Sequence, residues 1–189
     1  MGKLIYAINM SLDGFMEDAD GKLNWSVPDD EVFDFWTEFQ IKTDLDLYGR
    51  GMYEAMVYWE TVKPDPDIGD KLDRLYQFAR AWQDTDKIVY SRTLDHVSSK
   101  RTELRRDLNP DEIRRLKLET DSDISISGQN IASQAMALGL LDECHVNIFP
   151  IILASGKPAL PQIPYQRLEF ICAQTFASGA VYLKYKVIN

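Results

Sequence analysis

The sequence predicts a three-layer α/β/α domain built on a mixed, mostly parallel central sheet. Three observations predict it. Short apolar runs of strand length alternate with segments whose apolar residues keep helical spacing, the pattern that lays helices over both faces of a parallel sheet. Glycine turns stand where a strand hands over to a helix, at Gly49-Arg50-Gly51 and at Gly128-Gln129-Asn130. The chain closes on two strand-like runs joined across Ser178-Gly179, an antiparallel hairpin that makes the sheet mixed.

Each element follows in order. Lys3 to Met10 reads as a buried strand, and Asp13-Gly14 and Asp20-Gly21 then punctuate a loop or hairpin carrying Phe15, Leu23 and Trp25. Pro28, Asp29 and Asp30 open a helix with an apolar stripe of Val32, Phe35, Trp36 and Phe39, ending near Lys42. Asp44 to Tyr48 is a second strand, followed by the first glycine turn and a helical pattern through Met52, Tyr53, Met56 and Val57. After a break at Pro64 and Pro66, Leu72, Leu75, Phe78 or Ala79, and Trp82 mark an amphipathic helix, with Asp70, Lys71, Asp73 and Arg74 on its wet side. Lys87 to Ser91 is a strand and Thr102 to Arg106 a short one. Asn109-Pro110-Asp111 starts a charged helix reaching about Thr120. Ile124 to Ser127 alternates as a strand, the helix after Gly128 is capped by Gly139, and Glu143 to Phe149 is the next strand. Leu168 to Phe176 and Ala180 to Val187 form the closing hairpin. With no repeat, low-complexity tract or long linker, residues 1–189 are expected to form one domain.

Composition excludes several function classes. The 189 residues are 45% apolar and 27% charged, a globular balance able to bury a core without staples. Cys144 and Cys172 lack metal or disulfide spacing, so a reducing cytoplasm and no metal are expected. The longest apolar run, Ile148 to Ala154, is far short of a bilayer span, and the first residues have no secretory pattern; no membrane association is expected. A net charge of −9 opposes nucleic-acid binding. Lys100, Arg101, Arg105, Arg106, Arg114, Arg115 and Lys117 do crowd together, but interleaved acids make them read as a solvated strand and helix face. No nucleophile elbow or GxxxxGK is present, and the absence of GxGxxG disfavours a Rossmann dehydrogenase.

A helix that follows a glycine turn presents unpaired N–H groups and the positive end of its dipole, and so can hold phosphate. Two such turns in one α/β domain would let a pyrophosphate-containing cofactor lie across both. Arg50 adds a fixed charge to the first.

With Met10-Ser11-Leu12-Asp13-Gly14-Phe15, Asn24-Trp25, Leu47-Tyr48-Gly49-Arg50-Gly51, Ile88-Val89-Tyr90-Ser91-Arg92 and Ile126-Ser127-Gly128 in this order, the chain resembles the dihydrofolate-reductase-like family. More narrowly it is similar to the branch related to the C-terminal reductase domain of the bifunctional riboflavin-biosynthesis deaminase/reductase. Ala137 to Glu143 and Pro150 to Pro158 resemble that branch's final helix, strand and loop, so the likeness runs from about residue 3 to 187. A deaminase zinc signature has no counterpart.

The resemblance implies NADPH as cofactor and hydride transfer to a small heterocycle, such as 5-amino-6-(5-phosphoribosylamino)uracil or a pterin or dihydrofolate. It also implies a homodimer. Carried over by position, Gly49, Arg50, Gly51 and Met52 would meet the cofactor's phosphates, and Ser91 and Arg92 the 2′-phosphate that separates NADPH from NADH. Gly128, Gln129, Asn130 and Ile131 would cradle the pyrophosphate, with crowding expected at Gln129 because the family commonly has further glycines there. Ala7 would line the nicotinamide. Asn9, Asp13 and Trp25 would face the substrate, with Asp13 the candidate proton donor and an ordinary Asp-Gly turn its competing reading. Asp34 lies near the helix acid of folate-reducing relatives but off the apolar stripe, so it reads as solvated. His96 and His145 read as structural, Trp36, Trp59 and Trp82 as packing, and Lys157 as a solvated lysine or a contact for a phosphorylated substrate. A second functional class stays open: a non-catalytic nucleotide- or flavin-binding protein on the same fold.

Overall fold

A computed structural model describes residues 1–64, 69–163 and 165–189. Its frame is an eight-stranded sheet of β1 (Leu4–Ser11), β3 (Thr43–Gly49), β4 (Asp86–Tyr90), β5 (Thr102–Arg105), β6 (Asp123–Ser127), β7 (Glu143–Phe149), β9 (Arg167–Thr175) and β10 (Val181–Ile188). Spatial order is β5-β4-β3-β6-β1-β7-β10-β9. Neighbours from β5 to β7 run parallel, and β10 runs antiparallel to both β7 and β9. The mixed sheet with its antiparallel end matches the sequence expectation.

Side chains alternate across this sheet, and the two faces differ in kind. Leu4, Tyr6, Leu47, Ile124, Ile126, Cys144 and Val146 point to one face. There α4 (Pro110–Glu119) and α5 (Gln129–Ala137) cover them with Ile113, Ile131, Ala132, Ala135 and Met136. The opposite face carries Ala7, Asn9, Asp46, Tyr48, Lys87, Ser125, Glu143, His145 and Asn147. Over it lie α1 (Asp30–Ile41), α2 (Arg50–Met56) and α3 (Gly69–Asp84), which supply Val32, Phe35 and Trp36 to one apolar cluster and Met52, Tyr53, Phe78 and Trp82 to another.

Local chemistry sets the boundaries. Asp29 caps α1 by accepting from the Val32 N–H at 2.9 Å, and Asp30 and Glu31 suit the positive end of the helix. Asn109 caps α4, where Pro110 takes a position that needs no N–H donor. Gly139, at φ 64°, closes the last turn after α5. In the break before α3, Pro66 lies outside the described residues.

Of the two forms expected after Asp13-Gly14, loop or hairpin, the segment takes the loop, and β2 (Phe15–Glu17) within it pairs antiparallel with the distant β8 (Lys157–Pro158). Asp13 explains the long-range partner, because its carboxylate accepts from the N–H groups of Leu153 (3.1 Å) and Ala154 (2.8 Å) and draws that loop across. Gly156 permits the close approach: a Cβ there would lie 1.9 Å from the Glu17 carbonyl oxygen.

Candidate active site

The C-terminal ends of β3, β4 and β6 open into a groove of about 630 Å³. Gly49, Arg50, Gly51, Met52, Ser91, Arg92, Gly128, Gln129, Asn130 and Ile131 all line it, so the structure brings together every expected cofactor residue except Ala7. Gly128 stands at φ 113°, and a Cβ on it would come within 3.3 Å of the Gly49 nitrogen, so the close meeting of the two strand ends favours glycine at 128. A Cβ on Gly51 would meet nothing within 4 Å, which leaves bare backbone facing the groove. The Gln129 side chain is tied to the far loop, its Nε2 donating to the Leu160 carbonyl at 3.2 Å.

Three guanidinium groups border the groove. Arg50 is steadied by Glu54 (2.8 Å) and Thr93 (2.9 Å), and Arg92 by Asp107 (2.7 Å from Nε). Arg106 is the one that sequence reasoning missed. Most members of the basic cluster are paired on the surface as expected, Arg105 with Glu103 and Glu112, Arg114 with Asp111, Arg115 with Glu119. Arg106 instead donates to the carbonyls of Ser91 (3.0 Å) and Leu94 (2.7 Å), which fixes it at the groove wall with donors to spare. Glycines that admit close backbone approach, together with these cations, fit the phosphates and adenosine half of a dinucleotide.

The groove runs into an inner cavity of about 320 Å³ under α1 and α2, and the two share Gly51, Met52, Gly128 and Lys157. Ala7 and Asn9 line this cavity from β1. Trp36, Phe39, Met56, Trp59 and Phe78 give it an aromatic, apolar wall. Trp36 and Trp59 therefore border a cavity as well as pack, which the helical stripe could not reveal. Asn9 is oriented from two sides: its Oδ1 accepts from Trp36 Nε1 at 2.9 Å and from Asn147 Nδ2 at 3.4 Å.

Asp46 forms part of the cavity floor. Its carboxyl is fully buried and accepts from Gln40 (2.8 Å), Tyr48 (3.0 Å) and Ser125. Burial pushes it above the usual carboxylate range, against the pull of those three donors and the charge of Lys87. Within the apolar run of β3 no sequence signal marked this residue.

Two expected site residues, Asp13 and Trp25, lie elsewhere, and Asp34 lies on the solvated side as the sequence indicated. Asp13 lines neither cavity; Ser11 Oγ (2.7 Å) and the two backbone N–H groups hold its carboxyl below the ordinary range, which suits a loop anchor and opposes a proton donor. Trp25, in a 3₁₀ turn (Asn24–Ser26), packs edge-on against Phe149 and is absent from the cavity wall, while its neighbours Leu23 and Ser26 contribute to it. Asp34 binds Arg74 at 2.9 Å on the exposed side of α1.

Further along the same face, Glu143, His145 and Tyr182 form a hydrogen-bonded chain, Nε2 to Oε2 at 2.8 Å and Tyr182 hydroxyl to Nδ1 at 2.9 Å. Burial would raise the Glu143 carboxyl, but hydrogen bonds from Lys3, Lys184 and His145 overcome it and hold the group at about 2. Burial depresses His145, so a neutral ring donating from Nε2 to the carboxylate and accepting from Tyr182 completes the chain. This is a structural histidine, as the sequence indicated.

The profile of the RibD C-terminal domain matches residues 2–183. The chain belongs to that family. A relative, the uncharacterized protein YyaP of Bacillus subtilis, is 27% identical over 185 residues, spanning 97% of this chain and 94% of YyaP. Among solved structures, a protein of Shewanella sp. PV-4 described provisionally as a riboflavin biosynthesis protein superposes with a TM-score of 0.76 at 21% identity, covering 99% of both chains. The dihydrofolate reductase of Enterococcus faecalis, solved with NADP(H), superposes with a TM-score of 0.65 at 16% identity, covering 100% of this chain and 98% of the other. These likenesses establish the dihydrofolate-reductase-like α/β fold for this RibD C-terminal domain. No helix among its described residues is long and apolar enough to cross a membrane.

Proposed function

We propose that this RibD C-terminal domain protein is an NADPH-dependent reductase that delivers hydride to a small heterocycle, either a pyrimidine of the riboflavin branch or a pterin. The observation that carries the reading is the junction of two unlike cavities at Gly51, Met52, Gly128 and Lys157: a glycine-lined, arginine-bordered groove opening into an apolar, aromatic one. NADPH supplies the hydride when bound. Gly49, Gly51 and Gly128 let the backbone approach the pyrophosphate, with Arg50, Gln129, Asn130 and Ile131 beside it. Ser91, Arg92 and Arg106 receive the 2′-phosphate through charge-assisted hydrogen bonds. Ala7 and Asn9 border the reacting rings, and the wall of Trp36, Trp59 and Phe78 keeps water away from them. The acceptor nitrogen also needs a proton, and Asp46, not Asp13, is the buried acid on the cavity floor with the raised proton affinity to provide it.

Titration with NADPH and separately with NADH, followed through tryptophan fluorescence and energy transfer to the nicotinamide, tests this function. Tight, NADPH-selective binding supports it; failure of both to bind refutes it. The resemblance to the riboflavin branch, together with the edge strand β9 exposing Leu168, Phe170 and Ile171, also supports a homodimer, which a monomer mass in light scattering would refute.

A further inference from the structure

We infer that the inner cavity takes an uncharged planar ring bearing a hydrogen-bond acceptor for Asn9, and rejects a ring that carries a phosphate. The inference rests on the reductase reading, whose substrate class it narrows.

Charge is the first observation. Among the described residues lining the cavity, Lys157 is the one cation, and it is already paired with Glu17 at 2.8 Å. The carboxyl groups of Glu17 and Asp46 are the other ionisable acids on that lining. The formal balance is negative or zero, and a phosphate dianion entering there would lose its hydration without gaining a cluster of donors. The same molecule shows what its anion site looks like, since Arg50, Arg92 and Arg106 all border the neighbouring groove. Nothing of that kind is repeated around the aromatic wall.

Hydrogen bonding is the second. An indole N–H can only donate, so the bond from Trp36 Nε1 fixes Oδ1 of Asn9 on that side, and Asn147 Nδ2 shares the same oxygen. The Nδ2 group is thereby turned the other way. It is not buried, it has no acceptor among the described residues, and Asn9 lines the cavity, so its two N–H donors face the space a ligand would enter. A ring carbonyl or an unprotonated ring nitrogen satisfies such a donor. Trp36, Phe39 and Trp59 meet the flat faces and edges of a ring, and about 320 Å³ lies at the small end of ligand pockets, which leaves little room for a sugar phosphate.

A matched pair of ligands differing only in the phosphate provides the test: 6-hydroxymethylpterin and its monophosphate ester, titrated calorimetrically into protein saturated with NADPH. The expected result is binding of the neutral pterin at least tenfold tighter than the ester, at both low and high salt. Asn9→Leu, and Asn9→Asp, which keeps the acceptor for Trp36 but removes the donor, each weaken the neutral pterin about tenfold, far more than they weaken NADPH. Equal or tighter binding of the ester, above all if Lys157→Ala abolishes it, overturns the inference. So does failure of the neutral ring to bind, or indifference to both Asn9 variants. If NADPH itself does not bind, the reductase reading has failed, and the same pair titrated into the protein alone still decides between neutral and phosphorylated rings.

Discussion

The two faces of the central sheet use the same strands for opposite purposes. On β6, Ile124 and Ile126 are fully buried among α4 and α5 residues, while Ser125 and Ser127, one step away in sequence, line the cavity. On β7, Cys144 and Val146 join the apolar core, and Glu143 and His145 join a charged hydrogen-bond chain. Because side chains alternate, a strand can close a dry core and floor a polar site at once, provided each polar group on the second face finds a partner. Most do. The large aliphatic cluster lies on one face, and the cavity with Asn9 and Asp46 on the other.

Substitutions at neighbouring positions test this division. Ile126→Ala, on the apolar face, is expected to cost the most, about 2–5 kcal/mol of unfolding free energy in denaturant titration, with NADPH affinity unchanged. A loss under about 1 kcal/mol would mean that this face is not the stabilising one.

The charged chain should show itself in acid. Glu143 is held at about 2 against an ordinary 4.5, so its contribution, on the order of 3 kcal/mol, is fully present above pH 4.5 and is lost as pH falls from there through 2. His145, depressed by burial, adds in the same direction, its share fading as pH falls below 6.5. Glu143→Gln should flatten the stability profile between pH 5 and 2; an unchanged slope would remove the chain from the account.

Asp46 has the reverse sign. Its folded-state proton affinity is raised, so it costs stability as pH rises from the ordinary carboxylate value through the folded one. Asp46→Asn should therefore leave stability within about 1 kcal/mol at pH 7 while cutting turnover on the order of 100-fold, with NADPH binding intact. Full activity in that variant would dismiss Asp46 as proton donor. Asp34→Ala, which breaks only an exposed pair with Arg74, should have the smallest effect, under about 0.5 kcal/mol and none on turnover. Lost turnover there would return the helix carboxylate to the site.

How much of this was legible in the sequence follows from range. The alternation of Ile124-Ser125-Ile126-Ser127, the Asp29 and Asn109 caps and the two glycine turns act within a few residues, and they locate the strands, the helices and the glycine-lined groove. The pairing of Glu17 with Lys157 spans 140 residues, and no local signal announces it. Arg106 hid in a charged run because pairing with a neighbouring acid or lying along the groove wall depends on which carbonyls the fold brings near it. Trp36 and Trp59 read as buried, yet burial alone does not say whether the neighbour is a side chain or a cavity. Asp13 read as a donor or as a turn, and only the loop it anchors favours the turn.

The most direct test of the account is the NADPH isotherm of Arg106→Ala beside wild type, with NADH as the control. In the proposed reading Arg106 meets the 2′-phosphate, and its own hydrogen bonds run to the Ser91 and Leu94 carbonyls at the groove wall. The account predicts that NADPH affinity falls about tenfold, near 1.4 kcal/mol, that NADH binding does not change, and that the denaturation midpoint moves little. Unaltered NADPH binding, or an equal loss for both cofactors, would contradict the placement of the dinucleotide in this groove.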